Sequence, residues 1–327
     1  MKKILFPILI LLALVGCKGG GEKKFIKASS GNPYEMFAVM TQGLWDGAVG
    51  DTIKSTLTKN VEMINFDEPA FDVLYLVPDG FKGLALEHRN VLIARFGSQY
   101  PKAEIIAERN KHAQPQLYVF MQAPTQQELT VLVDQKIDSV RGIFDKDEIS
   151  RFAAKVSQKG SVAVQDSIKK MFGFTMAVPS GTKIRNIEKK SSFLWSSYEM
   201  PESSQGLIVY SYPYTGEPFT SENIVKERNK FVSLVPGALK NSHMSTSDYA
   251  EPLVVERNIN GRTWYETRGF WRVEGDFMGG PFVSFSTIDT KNNRVLVIDG
   301  YVYSPNPSKG QRNYIKQLES LVNTIKI

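Results

Sequence analysis

The chain has 327 residues, a length that fits one large or two ordinary domains. Its composition, 42% hydrophobic and 23% charged residues, excludes a disordered chain, a collagen-like fibre and a polytopic membrane protein. Lys and Arg number 40 against 34 Asp and Glu, and the single cysteine excludes an intramolecular disulfide.

Residues 1–16 are typical of a secretory signal peptide. Lys2 and Lys3 are followed by a mainly apolar stretch at 4–15, which would span about 18 Å as a helix. Because the hydrocarbon core of a bilayer is about 30 Å thick, this stretch is too short to cross it. Its length and flanking charges instead fit the apolar region of a signal peptide.

The segment Leu14-Val15-Gly16-Cys17 resembles the lipobox of bacterial lipoproteins, in which the cysteine is acylated and becomes the first residue of the mature protein. The alternative is an ordinary signal peptide with an incidental cysteine. It is disfavoured because Cys17 is the only cysteine and stands where a lipobox requires one. The resemblance implies an acyl anchor (palmitate) on Cys17 that binds the membrane.

The predicted location is the outer membrane, with the protein facing the periplasm. By resemblance to Gram-negative lipoproteins, Lys18 rather than aspartate after the cysteine favours sorting to that membrane. An exported protein rarely meets nucleic acid, so no nucleic-acid partner is expected. The polar, glycine-rich residues 17–33 are predicted to be a flexible tether.

Residues 34–158 are predicted to form a first α/β half. Runs of β-branched and aromatic residues between turn signals predict strands at 34–41, 71–77, 90–96, 103–109 and 116–122, with a short helix at 49–57. Thr125 and Glu128 have the spacing of a capping box at the start of a helix. A second helix is predicted at 146–157, and the polar residues that follow place the boundary between the halves at 158.

Residues 159–327 are predicted to form a second α/β half. The predicted helices are 164–171, 222–234 and 308–327, and the predicted strands are 173–178, 192–199, 207–214, 263–273, 277–287 and 294–303. Short turns between the last three strands are typical of an antiparallel meander. The predicted fold class is therefore α+β, with mostly antiparallel sheets flanked by helices and the C-terminal helix packed on the second sheet.

Catalytic signatures are mostly absent from the sequence, and the single Ser-x-x-Lys, Ser167 to Lys170, is interpreted as a solvent-exposed helix face. None of the three histidines has a second histidine four residues away, and no Gly-x-Ser-x-Gly elbow occurs. We therefore predict no catalytic residue, no metal site and no cofactor. A carboxylate pair such as Glu266 with Asp276 could act as in a glycosidase, but the sequence does not select one pair among 34 acidic residues.

Two aromatic segments provide the candidate binding residues. Along the predicted strand 207–214 the tyrosines fall on one side, where they either stack on a sugar or partner or form half of a core. In the second segment, Gly279, Gly280 and Pro281 interrupt a strand pattern, which indicates a bulge or a close backbone approach. The seven candidates are Tyr210, Tyr212, Tyr214, Arg268, Trp271, Met278 and Phe282.

Several short segments carry a resemblance to a known family. They are 30–35, Trp45-Asp46-Gly47, 67–71, Phe193-Leu194-Trp195, 268–271 and 278–284. On these residues the whole mature chain resembles domain-of-unknown-function family 4837, which consists of small lipoproteins of Gram-negative bacteria. The second half is also similar, by pattern alone, to the Mog1 and PsbP kind of α/β sandwich. Neither resemblance implies catalytic residues.

Three functions follow as hypotheses, and the weakest is a passive structural lipoprotein that spaces the envelope layers. The first is a lipid-anchored cell-envelope protein that binds a protein or glycan partner without catalysis. The alternative is an envelope hydrolase that uses paired carboxylates on glycan or peptide.

Overall fold

The computed structural model describes residues 27–327. The predicted signal peptide, the predicted lipidation site Cys17 and most of the predicted tether lie outside these residues. Among the described helices, none combines the length and the apolar character that crossing a bilayer requires.

The first half contains a five-stranded sheet and a small two-stranded ladder. Its strands are β1 (Lys27–Ala28), β2 (Glu35–Val39), β3 (Asp72–Leu76), β4 (Asn90–Phe96), β5 (Glu104–Arg109), β6 (Ala113–Gln114) and β7 (Leu117–Ala123). Its α-helices are α1 (Gln42–Trp45), α2 (Ala48–Leu57) and α3 (Gln126–Gln158), and two 3-10 turns lie at Pro78–Gly80 and Gly83–Glu87.

The main sheet of this half has the order β3-β2-β4-β7-β5. The pairs β2–β3, β2–β4 and β4–β7 are parallel, and only β5–β7 is antiparallel. Parallel neighbours need crossover connections, and the long segment with α1 and α2 supplies the one between β2 and β3. One face of the sheet packs on α2 and α3, which contribute Ile53 and Val133 to the core.

The second half contains an eight-stranded antiparallel sheet. Its strands are β8 (Lys183–Glu188), β9 (Phe193–Met200), β10 (Ser203–Pro213), β11 (His243–Thr246), β12 (Leu253–Ile259), β13 (Arg262–Glu274), β14 (Gly279–Asp289) and β15 (Arg294–Tyr303). Its helices are α4 (Val162–Phe172), α5 (Ser221–Val232) and α6 (Arg312–Val322), with a 3-10 turn at Pro307–Lys309.

Helices cover both faces of this second sheet. The strand order is β11-β13-β14-β15-β10-β9-β8, with β12 also paired to β13. One face packs on α4 and α6 and buries Trp264, whereas the other packs on α5 and buries Trp271. Because these residues are seven apart on β13, the alternation of a strand sends them to opposite faces.

The predicted α+β class is confirmed, and α6 packs near the second sheet as expected, with Leu318 against Gly300 of β15. Antiparallel pairs predominate over the two main sheets together. The first sheet differs, since three of its four pairs are parallel. Alternating patterns reveal strands but not their direction, which depends on the crossovers.

Two element predictions are wrong. The helix predicted to start at Thr125 and the second helix predicted at 146–157 are one continuous helix, α3. The strand predicted at 173–178 is not formed, and only Thr175 makes an isolated bridge, to Lys326. Phe174, Met176 and Val178 do alternate into the core, so the pattern is strand-like although no neighbouring strand pairs with the segment. The strands β8, β11 and β12 were not predicted.

The two halves contact each other through polar side chains. Glu68 accepts hydrogen bonds from the backbone N–H groups of Gln311 and Arg312 at the start of α6. The Arg312 guanidinium also donates to Asp72, at 2.8 Å. The first half therefore supplies acceptors that the N-terminal end of α6 needs. The division into two domains at residue 158 stays a prediction.

Candidate functional site

The structure distributes the seven predicted binding residues among three surroundings. Tyr210, Trp271 and Phe282 are buried in one apolar cluster under α5, and Met278 packs against that cluster with partial exposure. Tyr212 and Tyr214 lie at its open end, where they line a groove. Arg268 lies elsewhere, in a cleft between the two halves.

The buried residues of this set hold the sheet together. The indole N–H of Trp271 donates to the Val302 carbonyl at 3.1 Å. Phe282 lies over the guanidinium of Arg228, 3.7 Å from the ring centroid. A Cβ on Gly280 would lie 2.2 Å from the Val302 oxygen, so a close backbone approach explains this glycine. These side chains have no open surface for a ligand.

The groove lies where β10 ends and α5 begins, and its cavity measures ≈ 390 Å³. We call it the aromatic groove and define it by Tyr212, Tyr214, Phe219, Asn223, Glu227 and Lys230. Tyr212 and Tyr214 share one side of the chain because they are two residues apart in extended backbone. Thr220 accepts a hydrogen bond from the Asn223 N–H, which starts α5 beside the groove.

The aromatic rings of the groove are fixed by one another. Tyr214 and Phe219 are nearly parallel, with ring centroids 6.5 Å apart and planes 9° from each other. Phe219 also stacks on Tyr265 at 4.1 Å. Tyr212 lies 6.1 Å from Phe231 of α5. Both groove tyrosines remain half-buried, so part of each ring faces the cavity.

Charged and amide groups line the other side of the groove. Lys230 and Glu227 form an ion pair at 2.7 Å, and Lys226 and Glu217 also line the cavity. Burial raises the pKa of Tyr212, and Glu227 raises it further. The Tyr212 hydroxyl is therefore protonated at neutral pH and can donate a hydrogen bond. Phe219, Glu227 and Lys230 were not predicted from the sequence, because their contribution depends on α5 folding back against β10.

Arg268 belongs to a cleft of ≈ 360 Å³ between the halves, lined by charged residues from both. Its Nε donates to Glu266 at 2.5 Å, and Arg257 binds the other oxygen of Glu266 at 2.9 Å. Arg268 also binds Glu319, and Lys316 binds Asp145 at 2.9 Å. The carboxylates of the cleft are thus held in ion pairs.

The electrostatics of the cleft favour the charged form of two carboxylates, Glu266 and Asp145, whereas burial raises the pKa of Glu319 despite Arg268 and Lys316. Burial opposes ionisation of Glu266, but Arg268 and Arg257 outweigh it and lower the pKa of Glu266. Burial likewise opposes ionisation of Asp145, and Lys316 and Tyr34 reverse the effect, so the pKa of Asp145 is also lowered.

The suggested pairing of Glu266 with Asp276 is not formed. Glu266 lies within β13, whereas Asp276 lies beyond its end at Glu274. Eight residues of extended strand separate Glu266 from that end, which corresponds to roughly 26 Å. This distance is well outside the range of paired catalytic carboxylates.

Two family models match the chain. The model described as Domain of unknown function (DUF4837) matches residues 161–324, and that described as Domain of unknown function (DUF8532) matches residues 29–157. The predicted resemblance is therefore confirmed for the second half, while the first half matches a different model. No curated protein matches the sequence.

Two solved structures are similar to this chain at low sequence identity and low TM-score. A mutant of the protein Mog1 is 10% identical, with a TM-score of 0.29 over 47% of this chain and 90% of that one. LpqN, described as involved in cell envelope biogenesis of Mycobacterium tuberculosis, is 9% identical, with a TM-score of 0.27 over 47% of this chain and 83% of that one.

Proposed function

Because the chain belongs to the family described as Domain of unknown function (DUF4837), whose description names no activity, we propose a function from the chain's own residues. The protein is a lipid-anchored component of the cell envelope that binds a glycan in the aromatic groove without catalysis. The anchor is Cys17, and the protein faces the periplasm from the outer membrane.

The sequence of the N-terminal residues supports the envelope location. A basic pair, a short apolar stretch and the segment that ends at Cys17 occur in the order that export and lipidation require. Stable anchoring takes more than one acyl chain, and lipoprotein processing at Cys17 would supply them. The described fold begins at Lys27, so only a short segment separates it from the anchor.

The observation that carries glycan binding is the pair of half-buried tyrosines in the groove. Sugar rings offer apolar C–H faces that stack on aromatic rings, and hydroxyl groups that need hydrogen-bond partners. Tyr212 and Tyr214 supply ring surface, while Asn223, Glu227 and Lys230 supply polar groups around the same cavity. A cavity that combines aromatic surface with a few polar groups is typical of a small-ligand site.

The hydrolase alternative has less support. A carboxyl group acts as general acid when its pKa is raised towards the working pH. In the cleft between the halves, Glu266 and Asp145 both have lowered pKa values because cations surround them. Their ion pairs suit a structural role, between the halves for Asp145 and within the second half for Glu266, rather than proton donation.

Co-sedimentation with purified peptidoglycan sacculi tests the proposal. Replacing both groove tyrosines, Tyr212→Ala with Tyr214→Ala, is expected to weaken binding about tenfold or more, because each aromatic contact contributes about 0.5–1.5 kcal/mol. The matched control is Tyr249→Ala, since Tyr249 is 82% exposed and lies outside the groove. Absence of binding by the wild-type protein, or equal binding by all variants, would refute glycan binding at this groove.

A further inference from the structure

A second polar cavity, of ≈ 580 Å³, lies in the first half beside the start of the described chain. We call it the basic pocket and define it by Arg89, Arg109, Asn110, Gln116, Arg151 and Lys155. It is formed by the C-terminal part of α3 and the segments on either side of β6. None of these residues takes part in the aromatic groove or the cleft between the halves.

Positive charge exceeds negative charge in the basic pocket. Arg89 binds Glu148 through two hydrogen bonds, of 2.9 and 2.7 Å. Arg151 binds Glu148 at 2.9 Å and also pairs with Asp147, to which Arg109 is bound as well. Three guanidinium groups therefore share two carboxylates. Lys155 adds a fourth cation, and no ion pair of Lys155 is found within residues 27–327.

One buried donor and one buried acceptor of the basic pocket, Arg151 Nε and Asp147 Oδ2, lack hydrogen-bond partners among the described residues. Arg109 uses one Nη for Asp147, and its side chain is 62% exposed. Burial, together with repulsion from Arg89 and Arg109, lowers the pKa of Arg151 to about 10, although Glu148 acts in the opposite direction. An anion in the pocket would relieve this repulsion.

The basic pocket lies close to the predicted membrane anchor. Strand β1 pairs with β6, and Gln114 of β6 lines the pocket together with Pro33. Residues 18–26 are the only ones between Cys17 and Lys27. Nine residues span at most about 32 Å when fully extended. Lipidated Cys17 would therefore hold the pocket near the membrane surface.

We propose that the basic pocket binds a phosphate-bearing anion, and that this phosphate belongs to an anionic lipid headgroup of the membrane that holds the anchor. Guanidinium groups match phosphate because they donate two parallel hydrogen bonds, and they remain charged near neutral pH. The proposal that phosphate binds rests on the residues of the pocket alone. Its assignment to a lipid headgroup also rests on the predicted anchor at Cys17. The proposal goes beyond glycan binding in the groove, with which it shares no residue.

The test uses residues 18–327, which contain every described element but no acyl chain. Binding is measured by flotation with vesicles of phosphatidylglycerol and phosphatidylcholine, against vesicles of phosphatidylcholine alone. Inorganic phosphate is titrated separately by calorimetry. We expect binding to the anionic vesicles only. The double variant Arg109→Gln with Lys155→Gln is expected to weaken it about 30-fold, since each basic residue near an anionic surface contributes a factor of about five.

The matched control is Lys136→Gln with Lys170→Gln, which removes two positive charges from exposed positions outside the pocket. Lys136 lies nineteen residues before Lys155 on the same helix, roughly 28 Å away. An equal loss in control and pocket variants would overturn the proposal, because general surface charge would then explain binding. Binding of neither vesicles nor phosphate would also overturn it.

Binding of inorganic phosphate without binding of anionic vesicles would support the phosphate site and overturn its assignment to a lipid. Circular dichroism of each variant establishes that the fold is retained. The groove variants Tyr212→Ala and Tyr214→Ala are expected to bind anionic vesicles like the wild-type chain. Failure of glycan binding and failure of phosphate binding are therefore distinguishable.

Discussion

Arg228 and Asp299 form an ion pair whose side chains are both 0% exposed. The guanidinium donates two hydrogen bonds to the carboxylate, of 2.7 and 3.2 Å, and a third to the Thr246 hydroxyl at 2.9 Å. The ring of Phe282 packs on the guanidinium group of Arg228. The aromatic residue predicted as a contact for a partner thus contacts a buried cation of its own chain.

Removing one partner of this pair is expected to destabilise the protein strongly. Asp299→Asn leaves the Arg228 charge buried without its counter-ion, which costs about 3–5 kcal/mol. The free energy of unfolding, measured with urea, checks this value. The control is Asp248→Asn at an ion pair in which Asp248 is 83% exposed, where a loss of about 0–1 kcal/mol is expected. Similar losses at both positions would contradict the argument.

At the scale of elements, helix α3 passes without interruption from the core to the basic pocket. It runs for 33 residues and begins at the Thr125 cap. Thr125 Oγ1 accepts a hydrogen bond from the Glu128 N–H at 3.3 Å and donates to the Glu128 carboxylate at 2.7 Å. The Thr125 half of the predicted capping box is therefore formed, whereas Glu128 accepts from the Thr125 hydroxyl rather than from its backbone N–H. Near residue 146, buried Asp147 and Glu148 interrupt the apolar face, and arginines compensate their charge.

Loss of this cap is expected to have a measurable but moderate effect. Thr125→Ala removes the acceptor for a backbone N–H at the helix start, which costs about 1 kcal/mol. Urea unfolding measures the change. Thr130→Ala on the same helix is the control, because its exposed hydroxyl donates to the Gln126 carbonyl and caps nothing. The cap would be unimportant if both substitutions had the same effect.

Strand β10 shows how one side of an element can serve two purposes. Tyr210 is 1% exposed, whereas Tyr212 and Tyr214 are half-buried at the groove. Their two-residue spacing is the same, so the sequence pattern cannot distinguish them. What differs is the cover that α5 provides, which is complete over Tyr210 and incomplete towards the end of the strand.

At the scale of the whole molecule, charged groups join the halves alongside apolar contacts such as those of Ile64 and Val156 with the core of the second half. Lys316 of α6 binds Asp145 of α3, and Tyr34 also donates to Asp145 at 2.9 Å. Arg268 links Glu266 of β13 to Glu319 of α6 within the second half, where this network lines the same cleft. Such contacts depend on the ionisation of their carboxylates.

Acid is therefore expected to destabilise the protein through the ion pairs that line this cleft, of which Asp145–Lys316 joins the halves. Because the pKa values of Glu266 and Asp145 are lowered in the folded protein, their contribution is complete above their unfolded pKa values, at about 4. It is lost as the pH falls through the lower folded values. The free energy of unfolding should accordingly decrease from about pH 5 downwards.

The variant Glu266→Gln isolates one of these groups. It is expected to be less stable than the wild type at pH 7 and to show a shallower decrease in stability in acid. Asp138→Asn is the control, since Asp138 lies at the edge of the cleft with its side chain 81% exposed. If the free energy of unfolding of Glu266→Gln decreased in acid as steeply as that of the wild type, Glu266 would not contribute to the acid sensitivity.

Much of the fold and part of the site could be predicted from the sequence. Strand β4 occupies the predicted residues 90–96, and α2 begins one residue before the predicted helix. These elements depend on periodicity, capping and turn residues close together in the chain, which is why local pattern suffices for them. The predictions of export and of lipidation at Cys17 depend on equally local patterns.

The tertiary structure decides what depends on distant contacts. It leaves 173–178, whose alternate side chains are buried, without a strand partner, and it makes three of the four strand pairs of the first sheet parallel. It separates buried Tyr210 from Tyr214 at the groove. It also brings Arg89 and Arg151 into one pocket from sites 62 residues apart. Burial and charge compensation are properties of neighbours in space, and one sequence pattern is compatible with several such neighbourhoods.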